Sequence, residues 1–514
     1  MTNAVLEVER KYDVTAAAQV PDLAAVPGVA AVAPPVEHLL VATYFDTEDL
    51  RLRTAGTTLR HRSGGADAGW HLKTPSGRDR LELRVAGDDP AAGVPEELRA
   101  LVRAQVRDRE LVPVATLSTR RTVHCLLDED GGVLVEVADD VVTGRPEAPD
   151  RDELAWREWE AELVGGDRAL LDEVEQVLLA AGAEASRSSS KVGRVLGSLG
   201  AEPGDRPWWA GRPDRGVRRG TTAGDVVQAH LLEQVGVLLA RDPDVRRDLP
   251  DAVHRMRVAT RRLRSALRSF RPLLDREVTG PLRDELRWLA AVLGEARDAE
   301  VLHARLRELV AAEPEHLVVG PVLARIDDEL GRRYADAHAA AVRELDGERY
   351  LRLLDSLDTL VTAPPFQQQA AGRATTVLPG VVRKVDRALQ RSLDEARASD
   401  PGDARDLLLH EARKEAKQAR YLAESVAPVF GAPARTWAKA VTRLQEALGE
   451  HQDGVVTREA LQGLAARAAA AGEDAFTYGR LHALEQFVAD GAVSSWPQAA
   501  KDAGRPKLRR WFLG

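Results

Sequence analysis

The sequence predicts an α+β chain in two parts. The first, residues 1–200, reads as an eight-stranded antiparallel β tunnel or barrel with flanking helices; the second, residues 220–507, reads as an all-α part of two duplicated helical bundles. Three observations predict this. Segments of period two fill the first part, as expected where successive strand side chains face opposite ways. Long Leu/Ala/Arg/Glu segments without a strand run fill the second. The second part also repeats itself.

The strand candidates lie near 4–13, 39–46, 57–63, 68–74, 79–85, 120–127, 133–139 and 155–163, with helical stretches near 95–106 and 168–181. Pro203, Pro207, Pro213 and several Gly mark 201–219 as a linker. Pro364-Pro365 and the run Gln367-Gln368-Gln369 mark a loop midway through the helical part. Around that loop, His254, Arg257, Arg261 and Arg264 are matched by His410, Arg413, Lys417 and Arg420, at offsets 0, 3, 7 and 10 in both. Leu293-Gly294-Glu295-Ala296-Arg297-Asp298 is matched by Leu448-Gly449-Glu450-His451-Gln452-Asp453, and the His-to-Asp separations are 44 and 43 residues. Two motifs at a kept separation point to an internal duplication.

Composition narrows the function. Only nine of the 72 basic residues are Lys, so the cations are nearly all Arg, whose planar fork matches phosphate oxygens. The net charge of -9 argues against a protein that coats nucleic acid, so an anion-binding surface must be local. Cys125 is the only cysteine; one chain can build neither a disulfide framework nor a thiolate metal site from it, and it reads as a small strand residue. Residues 1–15 carry acids and no apolar segment, and no run of 18 apolar residues occurs. The chain therefore reads as cytoplasmic, with no membrane partner.

The strands carry charged rows. Glu7, Glu9 and Lys11 share a face, as do Arg60 with Arg62, Glu82 with Arg84, and Glu158, Glu160 and Glu162; Lys73, Arg121 and Glu136 sit in other strands. One such row is an ordinary solvated face, but eight agreeing segments suggest the charged interior of a small barrel. Such an interior needs a ligand, because unpaired buried charge is costly. Arg and Lys suit a polyanion, and carboxylates suit a hard cation such as Mg²⁺ or Mn²⁺.

These residues resemble the CYTH superfamily, the triphosphate tunnel metalloenzymes. Glu7-x-Glu9-x-Lys11 looks like its ExExK signature. Leu59-Arg60-His61-Arg62, Leu72-Lys73, Leu81-Glu82-Leu83-Arg84, Arg121, Glu136 with Asp140, Glu160-Ala161-Glu162 and Ser190-Lys191 follow in order, over about residues 3–197. The resemblance implies a tunnel open at both ends. Its metal candidates are Glu7, Glu9, Glu136, Asp140, Glu160 and Glu162, for Mg²⁺ or Mn²⁺. Its phosphate-gripping candidates are Lys11, Arg60, Arg62, Lys73, Arg84, Arg121 and Lys191, and its catalytic candidates are Lys11, Glu9 and Arg60. Thr119 stands where the family often has Lys. The acid after Glu136 is Asp139 or Asp140, with Asp140 favoured by its Asp-x-Val context.

In the helical part, His254, Arg257, Arg261, Arg264 and Arg268 fall within an arc of roughly 80° on one helix face. Met256, Ala259, Leu263, Leu267 and Phe270 lie opposite. From His254 to Leu274 there are seven Arg and no acid, whereas a solvated helix interleaves signs. In the second copy, Glu411 and Glu415 dilute the stripe. Two such helices side by side would line a groove for an extended polyanion. No aromatics interleave the stripe, which argues against nucleic acid. Asp298 and Asp453 are expected to orient Arg side chains. This half resembles the CHAD domain over roughly 220–505, on His-Arg-Met-Arg-Val-Ala-Thr-Arg-Arg-Leu-Arg at 254–264 and Leu-Gly-x-x-Arg-Asp at 293–298. That resemblance implies two four-helix bundles, a basic groove and inorganic polyphosphate as ligand. The polyphosphate-binding candidates are His254, Arg257, Arg261, Arg262, Arg264, Arg268, His410, Arg413, Lys414, Lys417 and Arg420.

The expected function is metal-dependent hydrolysis of inorganic triphosphate or a related triphosphate, with the helical part holding polyphosphate. The alternative is a binding protein that docks on polyphosphate granules, its β part acting as a triphosphate sensor. Adenylate cyclase activity follows from the resemblance alone; nothing in the sequence reads as an adenine pocket.

Overall fold

The first strand of the chain belongs to both ends of one sheet. Residues 3–77, 79–87, 89–148, 151–188, 190–197, 220–400 and 402–513 are described by a computed structural model, apart from the side chains of 403, 450–453 and 489–494. Two compact units are present, Met1–Ala210 and Gly211–Gly514. The linker expected at 201–219 lies outside the described residues.

In the first unit, strands β1 (Asn3–Glu7), β2 (Glu9–Val14), β3 (Ala31–Val32) and β4 (Val36–Asp46) lead to helix α1 (Arg51–Thr54). Strands β5 (Thr58–Ser63), β6 (Gly69–Ser76) and β7 (Asp79–Val85) precede α2 (Glu96–Val106), and β8 (Val112–Leu127), β9 (Val133–Pro146) and β10 (Leu154–Leu163) precede α3 (Arg168–Ala180). Strand β11 (Glu184–Ala185) and helix α4 (Lys191–Gly197) complete it. The sheet order is β1-β7-β6-β5-β4-β8-β9-β10-β2-β11, with β3 on β8. Because β1 pairs with β7 and β2 with β10, the sheet curls until both edges meet on Asn3–Val14. With β1 and β2 counted as one strand interrupted at Val8, the curl has the eight long strands expected.

Two of the apolar cores lie outside the curl. Tyr12, Val137, Trp159 and Ala161 point outward and pack under Leu171, Val174 and Leu178 of α3. Leu59, Leu72 and Leu83 pack under Leu98, Leu101 and Val102 of α2, whose three- and four-residue spacing makes one apolar stripe. Full burial of each such leucine contributes about 1.5–3 kcal/mol. The alternate residues of the same strands therefore face inward, and these are the charged ones.

Helix α4 covers one end of the curl. Its Val192, Val195 and Leu196 pack on the inward-facing Ala42, Tyr44 and Leu117. This corrects the expectation of two open ends. At the β5–β6 turn, Gly64 has φ +82°, and a Cβ there would lie 2.1 Å from the Leu39 carbonyl oxygen. Gly64→Ala is expected to cost more than the ~1–2 kcal/mol of a left-handed residue alone, read as a lowered unfolding midpoint in denaturant.

The second unit runs α5 (Ala223–Arg246), α6 (Ala252–Ser269), α7 (Arg276–Ala311), α8 (Val322–Leu345) and α9 (Glu348–Thr362). It continues with α10 (Ala374–Ala398), α11 (Asp403–Phe430), α12 (Ala432–Ala470), α13 (Phe476–Ala503) and α14 (Pro506–Leu513). Four long helices and one shorter helix thus occur twice, as the duplicated motifs predicted. The copies begin side by side: the Ala223 amide donates to the Gly372 carbonyl at 2.9 Å, and the Ala374 amide to the Thr221 carbonyl at 3.0 Å.

Candidate functional site

Inside the curl lies a cavity of about 400 Å³. Its wall is built by strand parity. Glu7 comes from β1, Glu9 and Lys11 from β2, Arg60 and Arg62 from β5, Lys73 from β6, Arg84 from β7, Arg121 from β8, Glu136 from β9, Glu160 and Glu162 from β10, and Lys191 from α4. These are the expected site residues of the first unit except Asp140, which is fully buried behind Arg121. Asp139, the other candidate acid, points away and pairs with Arg157 at 2.7 Å. Thr119 lines the wall, so the lysine missing there leaves a neutral patch.

At one end of the cavity the charges are locked together. Carboxylate oxygens of Asp140, Glu158 and Glu160 lie within 4.8 Å of one another. The Lys191 ammonium sits 2.9 Å from Asp140 and 2.7 Å from Glu158, and it also reaches Glu160. Arg121 grips Asp140 with two donors, at 2.8 and 2.6 Å. Burial opposes ionisation of Glu160, but Lys11, Lys191 and Arg121 outweigh it and hold the carboxyl well below its usual range. Asp140 is held low in the same way, against burial, by Lys191 and Arg121.

Glu136 and Glu162 lack such compensation. Glu162 faces Glu9 across β2–β10 and Glu136 across β9–β10. Among the described residues neither Glu136 nor Glu162 has an ion-pair partner. Burial, followed by the charge of Glu7, pushes Glu162 up to about 7. Glu7 is raised too, by burial and by Glu82, although Lys73 stands 2.7 Å away. Hard oxygen donors suit Mg²⁺ or Mn²⁺; Glu136 and Glu162 stand without a counter-charge, whereas Glu7 is paired with Lys73 and Glu9 with Lys11. Asp140 and Glu160, also expected to hold metal, are bound up by Arg121 and Lys191; Glu7, Glu9, Glu136 and Glu162 are the other residues that would hold it.

A pH effect follows in metal-free protein. A carboxyl whose pKa is raised on folding stabilises the fold fully below its ordinary value of 4.5, and that contribution is lost as pH rises through about 7. Thermal melts in EDTA should therefore show a falling midpoint between pH 5 and pH 8, and Mg²⁺ should remove the fall. A pH-independent difference would show that these acids are not crowded.

Three of the phosphate-gripping candidates, Arg60, Lys73 and Arg84, surround Glu82. It is fully buried and lies 2.9 Å from His71, 3.4 Å from Lys73 and 3.6 Å from Arg60, with Arg84 also in contact. Burial, with Arg60 and Arg121 nearby, pushes Arg62 down to about 9. Arg62 is paired with Asp67, and a bound anion would relieve the remaining crowding of like charges. Arg60 donates to the Tyr44 hydroxyl at 3.3 Å.

The sequence reading missed Tyr44 and Arg80 and gave Glu82 and Glu158 no role, yet Tyr44, Arg80 and Glu82 line the cavity. For Arg80 the signal was available, since it shares the face of Glu82 and Arg84. Tyr44 had none, because its row (His38, Leu40, Ala42) is not a charged one.

In the second unit, Met256, Ala259, Leu263, Leu267 and Phe270 are buried, and the arginine stripe of α6 is left partly exposed. The structure brings α6 against α11. The Gln418 side chain donates to Ser269 at 3.0 Å, and Arg262 pairs with Glu424 at 2.6 Å. Arg257 pairs with Asp298 at 2.8 Å, as expected for that acid; the Asp453 side chain lies outside the described ones. The Arg257 guanidinium lies over Gly294, where a Cβ would stand 3.4 Å from Nη2. Arg413 lies over Gly449 likewise, at 3.1 Å. Each Leu-Gly motif thus leaves room for the arginine of its own copy.

Among the described residues no helix is long and apolar enough to cross a membrane. Residues 6–195 match the CYTH domain and residues 229–462 match the CHAD domain. The uncharacterized protein Rv2226 of Mycobacterium tuberculosis (strain ATCC 25618 / H37Rv) is 40% identical over 501 residues, 94% of each chain. Of solved structures, PptA from Streptomyces chartreusis is 22% identical, covering 55% of this chain and 99% of that one, with a TM-score of 0.46. The CHAD domain from the plant Ricinus communis is 24% identical, covering 59% and 97%, with a TM-score of 0.41. The two domain matches follow one another in the order of the two units, and the chain belongs to the family of proteins in which a CYTH domain is followed by a CHAD domain.

Proposed function

We propose that the first unit hydrolyses inorganic triphosphate, or a related triphosphate, with Mg²⁺ or Mn²⁺, and that the helical unit binds polyphosphate. The observation that carries the first part is the balance of the cavity wall: eight Lys or Arg face seven Asp or Glu. A bare triphosphate would overfill so balanced a site with negative charge, whereas a metal–triphosphate complex neutralises both sets.

Position in the cavity supports the following roles. Arg60, Arg62, Lys73, Arg84 and Arg121 hold the phosphate oxygens, and Arg forks also fix the chain's orientation. Lys191 anchors the covered end. Lys11, between Glu9 at 2.9 Å and Glu160, can lend its charge to the oxygen on which negative charge develops. Glu7, Glu9, Glu136 and Glu162 hold the cation. When bound, the metal neutralises phosphate charge and makes a water acidic enough to attack. Tyr44 and Glu82 keep the arginines in place.

In the helical unit, the stripe of α6 and its counterpart on α11 are the polyphosphate contacts. The experiment is phosphate release from tripolyphosphate, ATP and thiamine triphosphate with each divalent metal. Release from tripolyphosphate that stops on adding EDTA is expected. Tight binding without release would favour the sensor.

A further inference from the structure

Six of the seven carboxylates that line the cavity stand on strands. The seventh, Asp67, comes from the loop between β5 and β6. Around it Gly64, Gly65, Ala66 and Ala68 are exposed, and Asp67 alone is half-buried. Its side chain turns into the cavity and pairs with Arg62.

That pair is unlike the others in the wall. Lys11, Arg60, Lys73, Arg84 and Arg121 take their partners from strand carboxylates, which the sheet holds in place. Arg62 is buried, and among the described residues Asp67 is its only ion-pair partner. Its Nε is also buried, with no hydrogen-bond partner among those residues. The guanidinium therefore has donor capacity that Asp67 does not use. The Asp67 side chain keeps 29% of its surface exposed, against 9% for Arg62. Turning the carboxylate fully into water costs it little, because it is already partly hydrated. Arg62 has no such route, and its charge would stand uncompensated unless another anion took the place of Asp67.

The backbone of the loop is tied down separately. The Asp67 carbonyl oxygen lies 2.8 Å from Nε2 of the buried His71, and Nδ1 of that ring lies 2.9 Å from Glu82. Gly64 packs against the Leu39 carbonyl. The movable part is thus the Asp67 side chain and not the loop.

We propose that Asp67 is an internal stand-in for a substrate phosphate: it holds Arg62 while the cavity is empty, and a bound triphosphate displaces it into solvent. This rests on the reading of the cavity as a triphosphate site and adds a latch to it. With Asp67 turned out, eight Lys or Arg face six Asp or Glu, so the wall becomes more positive as the polyanion enters. Any ligand that uses Arg62 must first displace the latch. Its apparent affinity is the intrinsic one reduced by the fraction of molecules in which Arg62 is free.

The test uses the full-length protein and tripolyphosphate, with affinity read by titration in EDTA and as KM in Mg²⁺. D67N keeps the shape and removes the charge. It is expected to bind about tenfold more tightly than wild type, the scale of one partly buried ion pair. D67A, which lacks the amide as well, is expected to gain at least as much. A purely structural Asp67 predicts the opposite sign, a lower melting temperature together with weaker binding. Removal of any nearby negative charge favours an anion, so the same change is made in R62Q. There D67N is expected to shift affinity by less than about twofold, because the cycle isolates the pair. E173Q, at an exposed position on α3, is expected to leave affinity unchanged. Binding by D67N and D67A no tighter than wild type, or an equal gain in the R62Q background, would overturn the latch. If the wild-type protein binds no tripolyphosphate in either condition, the reading of the cavity fails and the latch with it.

Discussion

Replacing Glu9 with Gln is expected to lower metal-dependent phosphate release from tripolyphosphate by roughly a hundredfold or more, the scale of losing one pre-placed charged group at a reacting centre. Glu9 stands between the two poles of the cavity. It faces Glu162 across β2–β10, and its own carboxyl is held low, against burial, by Lys11. Gln keeps the shape and removes the charge, so metal affinity and turnover should fall while the melting temperature changes little. A variant that keeps wild-type turnover at low Mg²⁺ would remove Glu9 from the metal site.

Arg121→Met is expected to act on stability. It would leave Asp140, which has no exposed surface, with Lys191 alone. Breaking one partner from a buried ion pair costs about 3–5 kcal/mol. Lys191 should keep the loss near the lower figure, about 3 kcal/mol, read from the denaturant midpoint of the first unit. The pair Arg121→Met with Asp140→Leu should recover part of that loss, because no uncompensated carboxylate remains. If the double variant is as unstable as the sum of the singles, the two side chains are not coupled.

The fold was legible where period and chemistry coincided. Strand parity put Glu7, Glu9 and Lys11 on one face, and the opposite row of Val8 and Tyr12 met α3 as an apolar surface should. The duplication could be seen because two motifs kept their spacing. Three features could not be read. Helix α4 has seven residues, two of them Gly, and its place over Ala42, Tyr44 and Leu117 is set by tertiary packing. Which carboxylates are paired and which are left over depends on contacts between distant strands, as with Lys73 and Glu7, 66 residues apart. Asp67 escaped notice because it lies in the loop between β5 and β6, outside every charged row, and only the fold turns it onto Arg62.

The central claim is that the cavity turns over a metal–triphosphate complex and does not merely hold one. The most direct measurement is a single-turnover experiment, with wild-type protein in excess over tripolyphosphate in Mg²⁺ or Mn²⁺. The account predicts stoichiometric release of orthophosphate, blocked by EDTA. Recovery of intact tripolyphosphate from a saturated, metal-loaded protein would contradict it.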